Sequence, residues 1–425
     1  MTIKRDRYLN QLKAFAWDGQ VKVITGIRRC GKSFLLNTIY REYLLENGVS
    51  PDHILSIALD LTKDIKYRDP LKLADCVRQT VENSAGSYYL FVDEIQMSDE
   101  VANPYNPDGK KITFYDALND LRSLPNLDVY VTGSNSKMLS KDILTEFRGR
   151  SDEIRVHPLS FSEYFSAVGG DKRTAFDDYA FFGGMPLVLS RPDDTARMNY
   201  LKSLYTEVYF KDIIERKKIT RADVLDATMD LLCSSVGSLT NPTNIANAVN
   251  SAQNNQDKVS PNTVRAYMEY LEDAFLFHEC KRYDVKGKSY FDYPNKYYCE
   301  DIGLRNARIG FRQQEMTHIT ENIIYNELII RGFSVDVGVV YSTEKGKRTA
   351  REIDFIASAG SKKYYIQSAY AMETDAKAAS ELKPFSLAGN SFPKIIVRRD
   401  VRKSWYDDNG YLNIGTEDFL LGKWE

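Results

Sequence analysis

The chain has 425 residues, 43% hydrophobic and 27% charged, which is room for two or three folded units at about 150 residues each and too apolar for global disorder. Lys and Arg number 57 against 59 Asp and Glu, so no whole-molecule field holds nucleic acid or an anionic membrane, and any such contact must come from a local patch. No run approaches the ~20 apolar residues of a membrane span, and MTIKRDRYLNQLKAF carries charges where a signal peptide needs an apolar core, so the expected location is the cytoplasm, with no membrane partner.

In chain order, VKVIT, FLLNTIYREYLL, ILSIALD, LADCVRQTVENSA, YYLFVDE and LDVYVTGS alternate strand-like and helix-like patterns as far as about residue 165. That spacing predicts a parallel α/β sheet with crossover helices. From about 166 to 310 the pattern is mainly helical, with MNYLKSLYTEVYFKDIIERK as its longest stretch of 3.6-residue periodicity. After about 315 the helix-like ENIIYNELIIRG leads into the strands SVDVGVVY, REIDFIAS and KKYYIQSAYAM, then a helix and KIIVRR, a second α/β unit. Five scattered cysteines without a C-x-x-C pair indicate neither a zinc site nor a disulfide framework. The 28 tyrosines, with dipeptides such as Tyr88-Tyr89, Tyr297-Tyr298 and Tyr364-Tyr365, sit in or beside strands and are expected to pack.

The segment Gly26-Ile27-Arg28-Arg29-Cys30-Gly31-Lys32-Ser33-Phe34 contains G-x-x-x-x-G-K-[ST] between a strand and a helix. Glycines at those positions let backbone N–H groups wrap phosphates at a helix N-terminus; Lys32 is expected to reach the β- and γ-phosphates of ATP, and Ser33 to ligate Mg2+. The strand Tyr88–Val92 ends in Asp93 and Glu94. Asp93 is expected to hold hydrated Mg2+, and Glu94 to orient and deprotonate the attacking water. After LDVYVT, Asn135 or Ser134 is expected to hold that water. Arg148 or Arg150 stands either as an arginine finger offered to a neighbouring subunit or as a partner of Asp152 and Glu153. Cys30 reads either as a small filler of the loop or as a redox-sensitive thiol.

TGIRRCGKS, LFVDEIQ, VTGSNSKMLS and EFRGRSDEIRVHPLSFSEY, with FFGGMP at 181–186 and ENIIYNEL and REIDFIAS beyond 320, resemble the AAA-type ATPases of bacteria and archaea that are fused to a conserved C-terminal domain of unknown function. The resemblance implies an α/β multidomain chain. Its parts would be a parallel-sheet P-loop AAA+ core over 1–165 (Walker A at the loop, Walker B at the acid pair), a helical lid-like region over 166–221, a winged-helix-like region over 222–312, and a restriction-endonuclease-like PD-(D/E)XK module over 313–425. For the winged helix, Ser260 and Pro261 suit the start of a third helix. That helix is acidic, which favours a protein-interaction or inter-domain module over DNA binding for the region, whereas the hairpin at 281–288 carries Lys281, Arg282, Lys286 and Lys288 against Asp284, and either makes a few phosphate contacts with DNA or is merely solvated. In the last module Glu321 or Glu327, Glu352 and Asp354 suit a metal-dependent nuclease. Gln367-Ser368-Ala369, however, stands where active-looking relatives carry Glu-x-Lys, and Lys362, Lys363 or Lys377 would have to substitute, so the module is expected to be inactive. The expectation is magnesium-dependent ATP hydrolysis that moves the C-terminal parts, with DNA, a protein client and a second copy of the chain as candidate partners. A slow nucleotide-gated switch acting on a protein is the alternative, and a DNA nuclease a further one.

Overall fold

The computed structural model describes residues 3–424 apart from 83, 85, 134–150, 254–257, 313–314, 345–346, 371–374 and 390. It divides into two compact units, Met1–His157 with Asp273–Phe275, and Pro158–Glu272 with Leu276–Glu425.

The first unit is built on a parallel five-stranded sheet, β1 (Val21–Thr25), β2 (Ile54–Ala58), β3 (Tyr88–Asp93), β4 (Leu127–Thr132) and β5 (Ser151–Arg155), in the order β2-β3-β4-β1-β5. β1, β3 and β4 are buried along their whole length, as suits mainly apolar strands covered on both faces, and Lys22 and Asp128 interrupt the apolar runs of β1 and β4. The edge strand β5, SDEIR, is mostly half-exposed and turns Ile154 inward. Its charged composition hides it from a hydrophobicity reading. After β1 the chain is helical over 32–46, with a π-helical stretch at Leu35–Tyr40. The helix Pro70–Val81 starts at Asp69, whose carboxylate accepts from the N–H groups of Leu71 and Lys72, with Pro70 in the first turn.

Lys22 of β1 is buried at the N-terminal end of the sheet, its Nζ 2.6 Å from Asp128 of β4 and 2.7 Å from Asp18. The Tyr130 hydroxyl donates to Asp128 at 2.7 Å and meets the Tyr40 hydroxyl at 2.8 Å. Burial, then Asp128, pushes the Tyr130 hydroxyl far above its ordinary range, so it stays a donor. Tyr88 and Tyr89 are likewise buried, and Trp17 Nε1 donates to the Tyr89 hydroxyl at 3.0 Å. These tyrosines pack, and their hydroxyls satisfy buried polar groups of the floor of the sheet.

In the second unit, the helix Phe161–Val168 opens with a capping box between Ser160 and Glu163. FFGGMP begins in the last turn of the helix Lys172–Phe182, and its glycines are explained by close backbone approach. Gly183 has φ +73°, and a Cβ there would lie 2.3 Å from Asp301 Oδ1. Asp301 also accepts from Gly184 N–H at 2.6 Å and Leu304 N–H at 2.9 Å, so it joins that turn to the helix Ile302–Arg308.

The helices Ala222–Ser234, Pro242–Gln253 and Pro261–Asp273 accompany a three-stranded antiparallel sheet of β6 (Leu239–Thr240), β7 (Phe277–Cys280) and β10 (Asn295–Cys299), ordered β6-β10-β7. Ser260 accepts from Thr263 N–H at 3.1 Å at the start of the third helix. The chain between β7 and β10 departs from the expected simple wing. β8 (Arg282–Asp284) and β9 (Ser289–Tyr290) form their own hairpin, and β8 pairs in parallel with β11 (Ser334–Glu344). The basic hairpin is therefore one edge of an eight-stranded sheet. That sheet adds β12 (Lys347–Ala359), β13 (Lys362–Ala369), β14 (Lys394–Arg398), β15 (Trp405–Tyr406) and β16 (Leu412–Gly415), in the order β15-β16-β14-β13-β12-β11-β8-β9. β11, β12 and β13 are an antiparallel meander, and β14 is parallel to β13. Among the described residues no helix is long and apolar enough to cross a membrane.

Candidate functional site

The strand order brings three elements together. β4 lies between β1 and β3, so its C-terminal end separates the loop after β1 from the acid pair after β3. In parallel α/β sheets this carboxyl edge is where ligands bind.

The loop is held from below. Gly26 has φ +134°, and a Cβ on it would lie 1.9 Å from the carbonyl oxygen of Val156, so only glycine fits against the chain leaving β5. Cys30 is fully buried and its thiol donates to Val156 O at 3.2 Å. That contact supports the filler reading, since a redox-sensitive thiol needs exposure. Arg5, buried at 5% exposure, donates to Cys30 O at 3.2 Å and His157 O at 2.7 Å. Arg29 at φ +64° and Gly31 at φ +103° curl the backbone into the helix that follows. Arg29 and Phe34 are exposed, Arg28 and Gly31 partly so, and Ile27 is buried.

Lys32 is 3% exposed, and its ammonium donates to the loop's own carbonyls, Gly26 O and Ile27 O, at 3.0 Å each. The Ser33 hydroxyl donates to Asp93 Oδ1 at 2.9 Å. Thr132, buried at the end of β4, donates its hydroxyl to the same Asp93 oxygen and accepts the N–H of Glu94 at 3.2 Å. Glu94 is in the left-handed region at φ +55°, and its carboxylate accepts from the Gln96 side chain. Ser33 and Asp93 offer a hydroxyl and a carboxylate side by side, hard oxygen donors of the kind magnesium takes. Asn135, Ser134, Arg148 and Arg150 lie outside the described residues. Thr132 and Arg5 escaped the sequence reading. Thr132 is legible in hindsight as the last residue of an apolar strand, whereas Arg5 is one basic residue among several with no distinguishing signal.

In the second unit, Glu321 of the helix Met316–Ile330 and Glu352 and Asp354 of β12 face the ammonium of Lys296. Glu327 instead pairs with Arg331 at 2.7 Å. Gln367 donates to Glu381 at 3.2 Å and accepts from Asp354 N–H at 3.4 Å, and Lys363 lies over the Phe392 ring. On the hairpin, Lys281, Lys286 and Lys288 are exposed, while Asp284 is used by the turn, accepting from Lys286 N–H at 3.0 Å and Gly287 N–H at 2.8 Å.

The five-stranded parallel sheet with its phosphate-type loop and strand-end acids defines an AAA-type P-loop domain, and residues 18–165 match the family described as AAA domain. Residues 173–315 match a domain of unknown function, DUF8612. An uncharacterized protein of Haemophilus influenzae is 33% identical over 373 residues, 87% of each chain, and the present chain belongs to the same family as that protein. An uncharacterized protein of Methanocaldococcus jannaschii is 26% identical over 415 residues, covering 94% of this chain and 85% of that one. Solved structures with some likeness include DnaA from Aquifex aeolicus bound to AMPPCP, at TM-score 0.31 and 13% identity over 62% of this chain and 85% of that one. The Aeropyrum pernix ORC1 protein in complex with DNA matches at TM-score 0.30 and 12% identity over 73% and 93%.

Proposed function

We propose that the chain is a magnesium-dependent ATPase of the AAA+ type whose nucleotide state moves its C-terminal parts. The observation that carries this reading is the contact of Ser33 with Asp93, which joins the glycine loop to the acid pair with Lys32 beside them. Lys32 and the N–H groups of the loop would bind phosphate oxygens, Ser33 and Asp93 would hold Mg2+, and Glu94 would take the proton of the attacking water. Magnesium, when bound, supplies charge neutralisation across the phosphates. Asn135 as a water holder and Arg150 as a finger in trans belong to the same proposal. Activity per chain that does not change with protein concentration, down to monomer, would remove the second role.

Lys32→Ala is expected to abolish ATP binding, and Glu94→Gln to retain ATP and stop turnover, measured by nucleotide titration and phosphate release. Turnover of Glu94→Gln at the parent rate would sink the base assignment. A slow switch is the second reading, favoured by the hold of Gln96 on the Glu94 carboxylate, which occupies the proposed base. A Gln96→Ala protein that hydrolyses no faster than the parent removes that argument. The exposed lysines of 281–288 support a DNA contact at the edge of the eight-stranded sheet, tested by salt-dependent binding of duplex and single strands. For 313–425 the proposal is a nuclease-like module without nuclease activity. Gln367 and Ala369 support it, and cleavage lost in Asp354→Ala would overturn it.

A further inference from the structure

Lys296 belongs to β10, a strand whose every residue is buried, and its side chain carries a charge to a place only 7% exposed. An ammonium so far from water persists only where counter-charge surrounds it. Three carboxylates, from one helix and one strand, supply that charge. Nζ is 2.9 Å from Glu321 Oε1, 2.7 Å from Glu352 Oε1 and 3.9 Å from Asp354 Oδ1. Two of the acids also accept from protein donors, Tyr298 giving its hydroxyl to Glu321 Oε1 at 2.7 Å and Ser368 its N–H to Asp354 Oδ2 at 2.8 Å. Burial alone would pull the Lys296 ammonium down, but Glu321, Asp354 and Glu352 together carry it above its ordinary range, so it stays charged.

Carboxylates from a helix and a strand, turned toward one point, are the donor set that a hard divalent cation takes. Here the point is filled from within. Among the described residues no three Asp, Glu, His or Cys side chains stand together closely enough to hold a metal ion. We propose that Lys296 is the resident cation of this cluster: its ammonium replaces a divalent metal, closes the carboxylates to metal ions, and ties β10 to the helix Met316–Ile330 and to β12. The arrangement bears on the inactivity proposed for 313–425. It is independent of the ATPase reading, because it involves none of the residues of the glycine loop.

The test is thermal melting of the full chain, free of nucleotide and carrying Asp93→Asn to remove the other metal-type site, in EDTA and in Mn2+. With Lys296 present, Mn2+ is expected to leave the midpoint unchanged. Lys296→Met is expected to melt lower in EDTA and to regain roughly 5–10 °C at saturating Mn2+, a gain lost when Asp354→Asn is added. Because Lys296→Met leaves carboxylates buried without a partner and can fail to fold, Lys296→Met with Glu321→Gln and Glu352→Gln is measured beside it. The triple variant is expected to melt above the single variant and to ignore Mn2+. The proposal is overturned if the Lys296 protein is itself stabilised by Mn2+ through Asp354, if Mn2+ fails to raise a folded Lys296→Met protein, or if the triple variant is no more stable than the single one.

Discussion

Thr132→Val isolates one hydroxyl in the middle of the proposed catalytic site. Valine keeps the shape and β-branching that strand β4 needs, so no cavity forms, and the substitution removes only the donor to Asp93 and the acceptor for Glu94 N–H. A hydrogen bond to a charged group contributes about 1.5–3 kcal/mol and one between neutral groups about 1 kcal/mol, so the two together are worth roughly 2–4 kcal/mol. Part of this is lost from the resting fold and part from the transition state, since Thr132 holds both acids in place. The expected result is a fall in kcat of about 10- to 100-fold, at 1.4 kcal/mol per decade, with stability lowered by about 1–2 kcal/mol. ATP affinity should change by less than about threefold, because Thr132 makes none of the hydrogen bonds that hold Lys32 or the loop. The assays are phosphate release at saturating magnesium and ATP, titration with a fluorescent nucleotide, and urea denaturation. Thr132→Ser restores the hydroxyl and should recover most of the activity. Parent-level turnover in a folded Thr132→Val protein, or an equal loss of binding and turnover, refutes the reasoning.

Two further predictions concern stability. Lys22→Met leaves Asp128 buried without its ammonium and should cost about 3–5 kcal/mol by urea denaturation, with part of the loss recovered in Lys22→Met/Asp128→Asn; a cost below about 1 kcal/mol would show that the pair is dispensable. Burial raises the Asp301 carboxyl to about 6, against 3.8 for the free group. Between those values the folded chain binds more protons than the unfolded one, so this group's contribution to stability is present in acid and lost, by about 3 kcal/mol in total, as pH rises from about 4 to 6. Asp301→Asn, although weaker overall because it accepts fewer N–H groups, should lose that slope in urea titrations across the same window. An unchanged slope assigns it to another group.

How much of this was legible in the sequence differs by element. β1, β3, β4 and the helix after the glycine loop were readable because strands buried on both faces need mainly apolar runs, and a phosphate-type loop needs glycine at fixed steps. β5 was not, since SDEIR is a half-exposed edge strand whose pairing with β1 depends on a partner 130 residues away. The 281–288 hairpin was readable as a hairpin. Its membership of the eight-stranded sheet was not, because the second partner of β8, β11, is distant in the chain.

Local chemistry, then, was determined by the sequence alone: Gly26 through Ser33, the Asp93-Glu94 pair, the capping box at Ser160 and the missing charge at Gln367 are all properties of short segments. Convergence was decided by the tertiary structure. Strand order β3-β4-β1 sets Thr132 between the loop and the acids, β5 delivers the Val156 carbonyl that makes Gly26 obligatory, and β10 sends Lys296 into carboxylates from a helix and a strand. Residues distant in the chain acquire a shared chemistry only when burial removes water from between them, and no local pattern records which charges will be left facing one another.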